Sequence, residues 1–321
     1  MDLPEHIFNK DSFSHADMLE VCKMFQELLG EHQLALQELS LWKNRGGAFE
    51  PGHFYSTVPD QSAFDRLDAQ FSSPLPQTLQ DIDLRPQEEL MWLERFKVFS
   101  EEFLFQDEET PPYRFYNANS YFAYADAVTL YCMLRVIRPK RLIEVGSGFS
   151  SALILDTNEY FCERSIQCTF IEPYTERLES LLRPDDRSAC RILQTGVQDV
   201  DIEEFKALES GDILFIDSSH VSKLKSDVNH LFFEVLPALA SGVYIHFHDI
   251  LYPFEYPPSW IKLGYFWNEP YILRSFLMNN HAYDIEFYIS YLLEFYKPQL
   301  LDVSDQYGKG NGGGSIWLRK R

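Results

Sequence analysis

The sequence predicts an α/β fold, a doubly wound and mostly parallel sheet in the second two thirds of the chain, with a helical N-terminal extension before it. Three observations predict it. From residue 119 onward, short apolar runs bounded by turn residues alternate with segments of helical period. A glycine-containing turn, Glu144-Val-Gly-Ser-Gly-Phe-Ser-Ser151, links the first run to the helix after it. Acids close several of the runs: Glu172 after the second, Asp217 after the fourth and Asp249 after the fifth.

Residues 1–110 read as a helical cap or extension. Met18, Val21, Cys22, Phe25, Leu28 and Leu29, then Leu34, Leu36 and Leu39, recur at helical spacing over 14–41. A loop rich in Gly, Pro and aromatic residues follows, and its segment Gly52-His53-Phe54-Tyr55-Ser56 is placed as a lid. A further helix is expected over 86–105, with Leu90, Met91, Leu93, Phe96 and Phe99 along its apolar stripe. The acidic run at 107–110 before Pro111 and Pro112 marks the boundary.

Residues 111–321 read as one domain. A helix from 119 to about 136 opens it. Strands are expected at 141–146, 167–173, 191–196, 212–217, 242–249, 284–289 and 315–320. Helices are expected at 151–160, 175–182, 202–208, 226–239 and 268–279. Apolar strands alternating with helices are those of a parallel sheet covered on both faces. The run GKGNGGG (308–314) opens no helix and lacks a Lys-Ser/Thr ending, so it reads as a flexible turn and not as a phosphate loop.

Charge and composition narrow the function. A net charge of −21 repels nucleic acid, and no long basic run offsets it. The five cysteines are scattered without a CxxC pair, which argues against a zinc site or a disulfide framework. No window approaches 18 apolar residues, and the N-terminus lacks the basic-then-apolar pattern of a signal peptide. The expectation is a cytoplasmic enzyme acting on a small-molecule substrate, with no nucleic acid and no membrane as partner. The oligomeric state is not legible.

The glycine turn points to a nucleoside. Gly146 allows a tight turn and Gly148 a close backbone approach to a ligand, while Ser151 replaces the third glycine of a dinucleotide fingerprint. Glu144 lies on the strand itself, and Glu172 ends the next strand, where a carboxylate can accept both hydroxyls of a ribose. Nothing in the loop is arranged to hold a pyrophosphate, which favours S-adenosylmethionine (SAM) over a dinucleotide.

With these residues in view, the chain from about residue 113 to its end resembles the class I SAM-dependent methyltransferases. The carriers are EVGSGFSS (144–151), the strand end at Glu172, LFIDSSH (214–220) and HFHDILYPFEYP (246–257). The resemblance implies a Rossmann-like, seven-stranded sheet with an antiparallel last strand, and methyl transfer from SAM. It assigns Glu144, Gly146, Ser147 and Gly148 to the loop around the methionine part, Glu172 to the ribose, and Gln198 with Asp199 to the adenine side. Asp217 joins them as the acid closing the fourth strand.

A second constellation is Asp217-Ser-Ser-His220 with His246-Phe-His248-Asp249. The fourth and fifth strands are neighbours in a doubly wound sheet, so both groups face one crevice, with His246 the one set deeper in its strand. Two chemistries can use them. A divalent cation such as Mg²⁺ or Mn²⁺ on Asp217 and Asp249 would hold an acceptor hydroxyl and lower its pKa. Metal-dependent catechol and sugar O-methyltransferases resemble this arrangement, from which His248 beside Asp249 is a departure. Without a metal, His220 or His248 is the general base and Asp249 orients it. Catalytic candidates are thus His220, His248 and Asp249, and the expected reaction is O-methylation. Two other readings stand beside it: an Fe(II) hydroxylase-like enzyme using His220, His248 and Asp249, and a non-catalytic scaffold on the same fold. The aromatic, Pro-rich segment 251–270 reads either as a wall for a hydrophobic or sugar-ring acceptor or as packing beneath the N-terminal helices. Arg114, Tyr116, Asn117 and Asn119 are placed near the methionine end of SAM.

Overall fold

The computed structural model describes residues 73–310 and 312–321 and, before them, 52–60 and isolated positions between 18 and 66. The chain divides into two compact units, Met1–Gln70 and Phe71–Arg321. In the first unit, the helical pattern at 14–41 lies outside the described residues apart from isolated positions. The loop 52–60 closes on itself, with Gly52 N–H donating to the Val58 carbonyl at 2.9 Å.

The second unit opens with α1 (Pro86–Ser100) and α2 (Tyr124–Ile137). The alternating part follows: β1 (Arg141–Val145), α3 (Phe149–Phe161), β2 (Gln167–Ile171), α4 (Glu176–Leu181), β3 (Cys190–Leu193), α5 (Ile202–Lys206) and β4 (Ile213–Ile216). A helix broken by a π turn, α6, spans Asp227–His230, Leu231–Val235 and Leu236–Ala238 before β5 (Tyr244–Phe247). Then come α7 (Pro258–Lys262), α8 (Glu269–Leu277), β6 (Tyr283–Tyr288), α9 (Ile289–Phe295), α10 (Lys297–Val303) and β7 (Ile316–Lys320). All seven expected strands are present, six of them shorter than expected because terminal residues leave the ladder, and the sixth in sequence of the same length but one residue earlier.

The strands form one sheet in the order β3-β2-β1-β4-β5-β7-β6. The first five run parallel, and β7 runs antiparallel to both β5 and β6. All four residues of β4 are buried, as a central strand covered on both faces requires. Register positions the site. Val145 pairs with Ile171 and Ile216, and Ile216 pairs with Phe247. The next residues, Gly146, Glu172, Asp217 and His248, therefore leave the sheet side by side at its carboxyl edge, where open α/β sheets bind ligands.

The compact unit that carries the sheet begins at Phe71, earlier than the domain start expected at residue 111. The reason is α1. Its Trp92, Leu93 and Phe96 are buried, and Phe96 packs on Phe287 of β6 at 5.2 Å. Trp92 Nε1–H donates to Glu286 at 2.9 Å, and Glu89 accepts the Tyr288 N–H at 3.1 Å. The helix and the turn before it, through Arg85 Nη1 donating to the Ile285 carbonyl at 3.3 Å, cover what would otherwise be an open sheet edge. This helix stops at Ser100, five residues short of expectation, and the chain turns so that Phe105 packs against Phe115. The helices α7, α9 and α10 carry no signal in the sequence reading. Among the described residues, no helix is long and apolar enough to cross a membrane.

Candidate active site

The glycine turn is built by steric necessity. Gly146 sits at φ 81°, and a Cβ there would lie 1.9 Å from the Asp217 carbonyl oxygen, so β1 and β4 can end this close only with glycine. Gly148 is in extended backbone and caps α3, its N–H donating to Ser151 Oγ at 3.0 Å. Ser151 in turn donates to Glu144. The Glu144 carboxyl is fully buried, and burial pushes its pKa up to about 8 against the serine hydroxyls around it. Glu144 Oε1 and Ser147 Oγ are both buried without a hydrogen-bond partner, so the loop retains polar capacity for a ligand.

Glu172 braces the same loop. Its Oε2 accepts from Ser147 N–H at 3.0 Å and its Oε1 from Tyr174 N–H at 2.8 Å, which leaves further lone pairs open. Gly146, Glu172, Gln198 and Asp217 line one cleft of about 470 Å³. Glu144, Ser147, Gly148 and Asp199 are not among its lining residues. The residues present fit a nucleoside with an amino-acid tail: a backbone cradle without Cβ atoms, an acid at the ribose position, and unmatched polar atoms beneath.

A second pocket, about 560 Å³, opens beside it and is walled by Tyr121, Tyr124, Asp126, His248, Asp249 and Trp260 together with Gly312, Gly313 and Gly314. The His and Asp cluster joins the two. His220 Nε2 lies 3.5 Å from Asp217 and 3.6 Å from Asp249. His248 Nδ1 lies 3.5 Å from Asp217 and 3.7 Å from Asp249. Behind them, His248 Nε2 is 3.8 Å from Asp126, and His220 Nδ1 is 2.8 Å from Glu269.

These contacts set the charges. Burial works against a charged His220, but Asp217 and Glu269 outweigh it and raise its pKa to about 10. Burial likewise opposes charge on His248, and Asp249 and Asp217 overcome it. Asp217 is pushed up by burial, yet the two imidazoles hold it well below the usual carboxylate range. Asp249 goes the other way, since burial exceeds the help from His248 and His220. His246 is separate: fully buried, stacked on Phe215 at 3.7 Å and held well below its usual pKa by burial, it packs the core. Among the described residues, no group of three or more His, Cys, Asp or Glu side chains is arranged to hold a metal ion. The two carboxylates face imidazoles instead.

A methyltransferase-domain family model matches residues 143–250, the span from β1 to the end of the His and Asp cluster. An uncharacterised protein of Archaeoglobus fulgidus is 33% identical over 173 residues, covering 52% of this chain and 77% of that one. The chain belongs to the class I SAM-dependent methyltransferases. Two solved structures are similar to it at low overlap. One is a Podospora anserina methyltransferase bound to S-adenosylhomocysteine (13% identity, 86% and 99% of the chains, TM-score 0.40). The other is the O-methyltransferase TomG of Streptomyces achromogenes with SAM (13% identity, 81% and 98% of the chains, TM-score 0.39).

Several residues of this methyltransferase's site escaped the sequence reading. Asp126 is an acid inside the apolar helix α2, and it is tied to Gly314 N–H at 3.1 Å and to the Ser315 hydroxyl. An isolated Asp in the run YADAVTLYCML was the available signal. The Gly run expected to be a flexible turn instead walls the second pocket, and Gly314 passes so close to Asp249 that a Cβ would lie 3.1 Å from its Cα. Arg114, placed at the methionine end, is locked away: Nη1 meets Asp156 at 2.6 Å and Nε meets Asp186 at 2.8 Å, all three buried. Asn119 does border the second pocket, while Asn117 is fully buried and donates to the Phe105 carbonyl at 2.8 Å.

Proposed function

We propose that this methyltransferase moves the methyl group of SAM to a hydroxyl of a small-molecule acceptor. The observation that carries the reading is one cluster of side chains, in which Asp217 lines the first pocket, His248 and Asp249 line the second, and His220 lies within 3.6 Å of both acids. A donor in the cleft beside Gly146 and Glu172 and an acceptor beside Tyr124 and Trp260 would meet across these four side chains. SAM supplies an electrophilic methyl group when bound. Glu172 takes the ribose hydroxyls, and the backbone around Gly146 receives the amino-acid tail. Asp217 and Asp249 surround both imidazoles, so His220 and His248 act as hydrogen-bond donors and positive charges that steady the acceptor oxygen. Asp249, whose proton affinity burial raises, takes the acceptor's proton. No Lys or Arg is among the residues lining the second pocket, so an acceptor with a neutral or cationic body fits it better than a phosphate or carboxylate.

A second reading concerns a cation. Four carboxylates, Asp126, Asp217, Asp249 and Glu269, surround only two imidazoles, and Asp217 and Asp249 would hold a Mg²⁺ or Mn²⁺ that displaces the imidazole protons. It would supply Lewis-acid activation of the hydroxyl.

Calorimetry tests both readings. Chelator-treated protein is expected to bind SAM, and Glu172→Ala to weaken that binding at least ~10-fold by removing the ribose acceptor and a loop brace. No binding by the unaltered chain, with or without Mg²⁺ or Mn²⁺, sinks the assignment. A gain in SAM affinity or in methylation of a hydroxyl-acceptor panel on adding the metal, lost in Asp249→Asn, favours the cation.

A further inference from the structure

His220 is held by its backbone and by both sides of its ring. It stands at φ 59°, a left-handed conformation that a residue with a Cβ rarely adopts. Three backbone bonds keep it there. Its carbonyl accepts from Asn268 N–H at 3.0 Å and Glu269 N–H at 3.1 Å, and its own N–H donates to Ser218 Oγ at 3.0 Å. Its ring lies against Trp267, with centroids 4.6 Å apart. The Glu269 carboxylate, 1% exposed at the start of α8, closes the arrangement. Oε2 lies 2.8 Å from His220 Nδ1, and Oε1 accepts from the Ser218 hydroxyl at 2.9 Å. Both carboxylate oxygens are thus engaged, one on the ring and one on the residue two before it.

We propose that Glu269, steadied by Ser218, is a positioning residue that holds the His220 ring through Nδ1–H and so aims the Nε2–H of the protonated imidazole into the active site. A carboxylate only accepts, so a 2.8 Å contact to Nδ1 requires Nδ1–H. Nε2 is then left facing Asp217 and Asp249, at 3.5 and 3.6 Å, where the two pockets meet. A buried carboxylate that fixes ring orientation and steadies the imidazolium is the division of labour found in acid–His pairs generally. The start of a helix favours the negative charge this role needs. The consequence for reaction rests on the methyl-transfer reading, but the Nδ1 contact does not, and the two can fail separately.

Nitrogen-15 NMR on the full chain labelled at histidine tests the Nδ1 contact, with His220 assigned by its loss in His220→Ala. The unaltered protein is expected to show a one-bond proton coupling at Nδ1, shifted downfield by the carboxylate contact. Glu269→Gln should abolish that shift while SAM affinity, measured by calorimetry, stays within ~3-fold. An Nδ1 signal unchanged by Glu269→Gln overturns the proposal. Should that variant not fold, Ser218→Ala replaces it: upfield movement of the Nδ1 proton and solvent exchange at least ~5-fold faster support the proposal, and an unchanged signal overturns it. With an acceptor in hand, Glu269→Gln should lower kcat ~10–100-fold with KM for SAM unchanged. It should add nothing to His220→Ala, whereas independent losses in the double variant would make Glu269 merely structural. Failure of the unaltered chain to bind SAM would remove the methyl-transfer reading and leave the Nδ1 result intact.

Discussion

Gly146 shows how little freedom the site has at single positions. Its left-handed backbone and the 1.9 Å approach to the Asp217 carbonyl mean that Gly146→Ala must push β1 and β4 apart at their ends. We expect it to lower the melting temperature and remove SAM binding together, measured by thermal denaturation and calorimetry. Glu144 is the opposite kind of constraint. Its carboxyl titrates at about 8 in the folded chain against an ordinary 4.5, so the folded state holds the extra proton between those values. Stability therefore falls as pH rises through that window. Glu144→Gln keeps the acceptor for Ser151 without the buried charge. It should be more stable than the parent at pH 8, on the order of a few kcal/mol, with the gap closing toward pH 5. Urea melts at several pH values would show this, and a gap independent of pH would contradict it.

At the scale of elements, the segment 113–117 is tied to α3 by charge. Asp156, fully buried on α3, accepts Arg114 N–H at 2.7 Å and Phe115 N–H at 2.8 Å in addition to the Arg114 guanidinium. Arg114 also reaches Asp186 and, at 2.8 Å, Glu159. Removing the guanidinium strands two buried acids, so Arg114→Met should cost about 3–5 kcal/mol. Arg114→Met with Asp156→Asn and Asp186→Asn should recover part of that loss, as chemical denaturation would reveal. The expectation that Arg114 touches SAM came from its place before the first core helix, and sequence position alone could not distinguish a ligand contact from an ion network.

For the whole molecule, the boundary between units is the sharpest question. A chain starting at Phe71 retains α1 and its cover over β6. It should unfold in one cooperative step and bind SAM, as followed by circular dichroism and calorimetry. A chain starting at residue 111 loses Trp92, Leu93 and Phe96 from the core and uncovers the edge strand. It should aggregate or melt far lower. Cooperative folding of the shorter chain would restore the boundary read from the acidic run and the two prolines.

Local pattern in the sequence sets the order of the seven strands, the helices that alternate with the first five of them, the glycine turn and the acids at the strand ends. These features depend on a residue's near neighbours: alternation, helical period, and a turn that only glycine can make. It also placed Gly146, Glu172, Asp217, His220, His248 and Asp249 at one crevice, because consecutive strands of a parallel sheet end on the same edge. The tertiary structure alone decided what surrounds them. Asp126 meets Gly314 across 188 positions of chain, and Glu269 reaches His220 across 49. The sequence contains no local pattern for such meetings. They follow from how β7 closes against β5 and how α8 returns over the end of β4, and they set which nitrogen and which carboxylate face the substrate.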